Sequence, residues 1–362
     1  MAFPHGAPGF LRDVVALGHG VPISFRSVAV PALGVIAPVG IGLAIGQFHL
    51  GLLAALGCVL LGAPSSSSLD VKQRIVSTVS DFAPVSLAIG AAALIADKPW
   101  GDAVAIALVS GAGLLAGYSR PVAVAAIRFG VCLVLGLSLL SAPAADSRGI
   151  GALAFAAGAL WGAGLGLLPR GDNTAAAKKG RPAISPRARR VRFFRTLRTL
   201  GGWQFPLRLA LGLGIASAIR HFWPAHHFYW IMLTVAVLTA PAIEPLPVKT
   251  AQRLAGTLGG VAFAALLRAG LPSPVWLALA ACPLAILLPI ARTTSYLLYS
   301  IVVTPLILLA LDIGAPETHG LFIDRLTATF AAGAIVLALN MMFDRIGVAG
   351  AKAVAGNPLS TP

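Results

Sequence analysis

Charge is what this sequence has least of. Only 12 of its 362 residues are acidic, and the four charged types together make up 11%, against about 25% in an ordinary soluble domain. A chain this poor in charge, 57% hydrophobic and with mean hydropathy +0.88, lacks the polar residues to cover a large surface in water. Cysteine is scarce as well. Cys58, Cys132 and Cys282 are odd in number, lie in apolar segments and show no C-x-x-C spacing. That speaks against a disulfide framework or a zinc site and for apolar filling. The dipeptide Gly-Lys never occurs, so there is no phosphate-binding G-x-x-x-x-G-K-[ST] loop. G-x-S-x-G, H-E-x-x-H and cofactor fingerprints are missing too. The expectation is a protein that is not an enzyme and takes neither metal nor cofactor. The opening "MAFPHGAPGFLRDVVALGHG" has no continuous apolar core and no small-residue cleavage site, so it does not read as a cleaved signal peptide.

Glycine and proline are abundant, at 40 and 26 residues, a usage that membrane helices tolerate better than soluble ones. A span needs roughly 20 mostly apolar residues, about 17 at the short end. On that ruler six spans precede a basic loop, near 25–46, 48–64, 75–95, 101–118, 121–141 and 149–168. Six follow it, near 205–221, 227–243, 253–270, 273–291, 294–312 and 323–343. The expected fold is an all-α integral membrane protein of about 12 transmembrane helices.

The net charge of +15 would suit a nucleic-acid partner, but its distribution argues for a membrane. Ten of the 27 basic residues lie between Arg170 and Arg198, as the positive-inside rule expects of a cytoplasmic connection. With both termini cytoplasmic, twenty basic residues fall inside and five outside (Lys98, Arg148, Arg220, Arg268 and Arg325), while Arg128 and Arg208 fall within spans. The expected location is the plasma (inner) membrane. Within the loop, "PRARRVRFFRTLRTL" sets Phe194, Leu197 and Leu200 on one face with arginines around the rest. This suits an interfacial helix over 186–200 lying on anionic headgroups, with no nucleic-acid partner.

An internal repeat is visible. Ala63-Pro64 and Ala240-Pro241 are each followed, six residues on, by Val-Lys (Val71-Lys72 and Val248-Lys249). After a two-residue shift, Gln73-Arg74 and Thr78 match Gln252-Arg253 and Thr257, and His49 matches His226 without a gap. Six spans are an even number, so two such units share one orientation, as in parallel-repeat transporters. The expected organisation is a cytoplasmic segment 1–24, a first six-helix repeat 25–169, a basic linker 170–203, a second repeat 204–344 and a cytoplasmic tail 345–362. Two halves in one chain suffice for a complete unit, and an oligomer stays open.

Arg253 stands three residues before Gly256-Thr257, at the expected start of a span. Helix N-terminal amides, a guanidinium and a hydroxyl together favour an anion. Against this stands a packing reading. Gly256 and Gly260 form G-x-x-x-G, a helix-contact pattern, and Arg253 then snorkels to lipid phosphate. Asp81, with Arg74 and Thr78 on the same helical face, is either a proton-coupling group or the partner of Arg128. Arg128 in turn either attracts anions or neutralises Asp81. Arg208, nearer an interface, reads as a snorkelling residue. "RHFWPAHHFYW" at 220–230 has histidines but no carboxylate or cysteine nearby to complete a metal site; His226 and His49 suit an outer vestibule.

The stretch 227–267 resembles the fusaric acid resistance-like family. Tyr229, Trp230, Thr234 and Val237 lie in one span, and Arg253, Gly256, Thr257 and Gly260 open the next. That family includes bacterial aromatic acid exporters and is similar to plant aluminium-activated malate transporters. The resemblance implies transport of small organic anions, with aromatic or lipophilic carboxylates exported by a gradient-driven mechanism. On that reading Arg253, Gly256 and Thr257, with Arg74 and Thr78 of the first half, contact the substrate. The first half departs from the pattern: Leu53 replaces Trp230, Ser77 replaces Gly256 and Asp81 replaces Gly260. A passive anion channel and a membrane scaffold recruited through the basic linker remain as alternatives.

Overall fold

The computed structural model describes residues 12–16, 25–61, 71–140, 148–167, 185–224, 226, 228–241, 246–271, 273–312 and 320–355. Among them every regular element is a helix. Before the linker lie α1 (Phe25–Ala44), α2 (Phe48–Leu61), α3 (Val71–Ile95), α4 (Gly101–Leu115), α5 (Arg120–Leu140) and α6 (Arg148–Gly166). The linker forms α7 (Pro186–Leu197). After it come α8 (Leu200–Phe222), α9 (Tyr229–Leu238), α10 (Leu246–Gly270), α11 (Pro274–Thr294), α12 (Tyr296–Asp312) and α13 (Leu321–Ala355).

Four stretches are long and apolar enough to cross a membrane by themselves: Ile75–Ile95, Arg120–Leu140, Gly149–Gly166 and Phe322–Ile346. The shorter helices are as apolar. The long helices leave large side chains such as Leu94, Leu153, Leu207, Leu266 and Ile323 exposed, a surface that water penalises and lipid requires. This is a multi-pass membrane protein.

Local chemistry sets the helix ends. At α7, Ser185 accepts a hydrogen bond from the Ala188 amide at 3.2 Å with Pro186 directly after it, the favoured order at a helix start. Ser295, in extended backbone (φ −161°, ψ 141°), separates α11 from α12, and its hydroxyl accepts from the Leu297 amide at 3.2 Å. Pro247 takes the second position of α10, where its missing N–H is no loss. Consequently α10 begins a full turn and more ahead of the expected 253, and Arg253 is not a helix-start residue. Its amide lies inside the helical ladder, so the N-terminal dipole does not act there. The expected span 75–95 coincides with the apolar stretch Ile75–Ile95, although its helix begins at Val71, and the expected 227–243 contracts to α9. Ten residues rise only about 15 Å, half the hydrocarbon thickness of about 30 Å.

Packing follows one scheme on each side of the linker. In the first group α1 and α3 pack on α6, α2 packs on α1 and α6, and α5 packs on α3 and α4. In the second, α8 and α10 pack on α13, α9 packs on α8 and α13, and α12 packs on α10 and α11. The groups meet where α4 lies on α8, α11 on α1, α5 on α9 and α12 on α2. Close approach rests on glycine. A Cβ at Gly57 or Gly158 would strike the facing backbone of Phe155 or Ala54, so α2 and α6 touch through their main chains. Cys132 is buried, Cys58 and Cys282 are half-buried, and none of the three is in a disulfide.

Candidate functional site

The end of α9 is where a polar interior has to be built. A helix that stops inside a protein leaves carbonyls without partners. Here two cations supply the donors. Arg208 on α8 is 1% exposed, and its Nη2 donates to the Ala240 and Pro241 carbonyls at 3.0 and 3.2 Å. Its Nη1 donates to Asn340 Oδ1 on α13 at 2.6 Å, and its Nε to the Gln204 carbonyl at 3.3 Å. Lys249 on α10 donates to the Val237 carbonyl at 3.1 Å and lies 5.4 Å from the centre of the Tyr296 ring. Arg208 therefore does not snorkel. It is a cap for α9: its buried guanidinium meets the part-buried carbonyls just beyond Thr239 in place of lipid phosphate.

Beside this cap, α10 turns Thr250, Arg253 and Thr257 inward, at 1, 4 and 1% exposure. The spacing of three and four residues places them on one face. Gly256 and Gly260 lie against α12: a Cβ at Gly256 would collide with Ser300, and one at Gly260 would sit 2.7 Å from Thr304 Cβ. The glycines thus do the packing, and that packing carries Arg253 into the interior. Among the described residues the Arg253 Nε and the hydroxyls of Thr250 and Thr257 have no hydrogen-bond partner.

Arg325, counted among the outer-side basic residues and not among the expected site residues, is fully buried (0% exposed) on α13. Its Cζ lies 4.2 Å from the centre of the Trp230 ring. Among the described residues none of its three nitrogens has a hydrogen-bond partner, and its charge is within electrostatic reach of Arg253, Tyr229 and Tyr296. The signal available beforehand was the adjacent Asp324-Arg325 in the first turn of an apolar run, and snorkelling explains an arginine there equally well. Next to it, buried Asp324 faces away to His226, Oδ1 to Nδ1 2.9 Å. His226 is half exposed and stacked on Phe228 at 4.9 Å.

The first group of helices is built differently. Thr78 is buried with its hydroxyl unpartnered, and His49 is half-buried on α2. Asp81, standing where the second group has Gly260, is bound by Arg128 Nη1 at 2.6 Å, and the same nitrogen lies 3.2 Å from the Asp81 carbonyl. The side chain of Arg74 lies outside the described residues. Among the described residues no group of three or more His, Cys, Asp or Glu comes together around a metal site.

The family model described as fusaric acid resistance protein-like matches residues 213–339, from within α8 to within α13, and so spans Trp230, Arg253, Gly256, Thr257 and Arg325. No curated protein and no solved structure matches the chain. Over that stretch, about a third of the chain, the sequence is similar to fusaric acid resistance protein-like proteins, a likeness that points to a membrane transport or resistance protein.

Proposed function

We propose that this protein is a secondary transporter that moves organic anions, aromatic or lipophilic carboxylates among them, out across the plasma membrane. The observation that carries the reading is Arg253, a permanent cation held in an apolar interior by the glycine contacts of α10 with α12. A buried intramembrane charge is expensive and is kept where it serves a pathway. A guanidinium with unpaired hydroxyls beside it suits a carboxylate. Thr257 lies one turn beyond it, and Arg74 with Thr78 takes the equivalent place in the first half.

Two parallel six-helix repeats related by an axis along the membrane normal form the framework. Matched helix pairings support this: α2 on α6 with α9 on α13, α3 on α5 with α10 on α12, and α4 on α8 with α11 on α1. The basic face of α7 rests on anionic headgroups with both termini cytoplasmic. His226 and His49 stand at the outer mouth, and the Asp81–Arg128 pair closes the first half.

The test is flux into liposomes containing the purified protein, with a panel of aromatic and dicarboxylic acids. The expected result is gradient-driven movement of aromatic acids, lost in Arg253→Ala and partly restored by Arg253→Lys. Large currents without any dependence on an ion gradient would make it a passive channel. A wild type that moves nothing across the panel would remove transport altogether.

A further inference from the structure

We propose that the second helix group holds a compact anion, a carboxylate headgroup or a halide, at the edge of the Arg325 guanidinium and between it and Arg253. The inference rests on the anion-transport reading of Arg253 and adds an occluded binding site that is built without the first helix group.

A guanidinium stays charged in a protein, so deprotonation does not relieve its burial. Neutralisation must come from a partner. The Trp230 ring covers one face of Arg325, and such a contact returns only part of what burial costs. It also leaves the edge of the guanidinium, where all the N–H donors point, without a partner among the described residues. The carboxylate next in sequence, Asp324, is bonded to His226 instead. A second guanidinium, Arg253, stands within electrostatic reach and with its Nε unpaired. Two like charges in a medium of low dielectric repel strongly. An anion between them turns both terms favourable at once and supplies acceptors for the unpaired donors.

The chemistry admits a carboxylate or a halide because both are compact and singly charged. Tyr296 and Tyr229 are also within electrostatic reach of Arg325, and the Trp230 ring gives the site an aromatic wall.

The test is the melting temperature of the full chain in detergent, at constant ionic strength. Benzoate and chloride are titrated separately against a gluconate background, for wild type, Arg325→Gln, Arg325→Met and Arg220→Gln. Arg220 lies on α8 beside Asp102 and controls for general salt effects. The expected result is a saturable rise in melting temperature for wild type and Arg220→Gln. In both Arg325 variants the apparent affinity should fall by at least about tenfold. Saturation by benzoate alone identifies a carboxylate site, and saturation by chloride alone a halide site.

Absence of a saturable rise with either anion in wild type overturns the site, even where neither Arg325 variant folds. So does an undiminished rise in Arg325→Gln. An Arg325→Met protein more stable than wild type at saturating anion would show that the guanidinium has no counter-ion. Flux separates the two readings. Liposome transport without saturable binding leaves the transporter and removes this site, whereas binding without flux leaves the site and removes the transporter.

Discussion

Arg208 and Asn340, 132 residues apart, meet at 2.6 Å in the interior of the second helix group, and the same guanidinium binds the carbonyls of Ala240 and Pro241. One side chain therefore ties α8 to α13 and closes the end of α9. Arg208→Met removes the donors and leaves part-buried carbonyls and the Asn340 Oδ1 unpaired, for an expected loss of about 1–3 kcal/mol. Asn340→Leu leaves the carbonyl bonds in place and should cost about 1–3 kcal/mol. Melting of the detergent-solubilised variants measures both. Equal melting of wild type and Arg208→Met would disprove the capping role.

Contact between α10 and α12 predicts a graded glycine series. Gly256→Ala and Gly260→Ala each place a Cβ against α12 and should destabilise by about 1–3 kcal/mol. At Gly259 the nearest atom, Ile301 Cγ1, would lie 3.5 Å away, an ordinary contact. There alanine is expected to be neutral or to stabilise by a few tenths of a kcal/mol, up to about 1. The order of melting temperatures across the three variants is the readout, and a Gly259→Ala protein as unstable as Gly256→Ala would refute the packing.

Asp81 and Arg128 form an ion pair between α3 and α5. A double-mutant cycle with Asp81→Asn and Arg128→Gln should give a coupling of about 0.5–3 kcal/mol. If Asp81 only balances Arg128, transport by Asp81→Asn keeps its full response to a pH gradient. Loss of that response with folding intact would instead make the carboxylate a proton-coupling group.

On α7, Arg187, Arg190, Arg192 and Arg195 are exposed, while Phe193 packs edge-on to Tyr118 at 5.6 Å. The aromatic contact orients the helix and leaves the arginines outward. Replacing the four by Gln should reduce co-purified anionic lipid, at about 1 kcal/mol for each charge near a lipid surface. Lipid analysis of the purified variant is the measurement, and unchanged anionic lipid would count against this contact.

Much was legible in the sequence because its causes are local or compositional. Scarcity of charge and runs of apolar residues dictate helices in lipid, since backbone groups there must bond within the segment. The Arg253–Gly260 motif is a matter of spacing along one helix, and the spacing by itself tells that Arg253 and Thr257 share a face. Helix starts were less legible: "EPLPVKT" reads as a loop until the position of Pro247 within a formed α10 is known.

Tertiary structure alone decided the fate of the arginines. In the sequence Arg208, Arg253 and Arg325 are alike, each near the end of an apolar run. Whether such a charge snorkels, caps a broken helix or stays buried over an indole depends on what the neighbouring helices bring to it. Arg208 meets carbonyls freed by the end of α9, and Arg325 meets Trp230. Those encounters join residues 32 and more positions apart, and no local pattern records them.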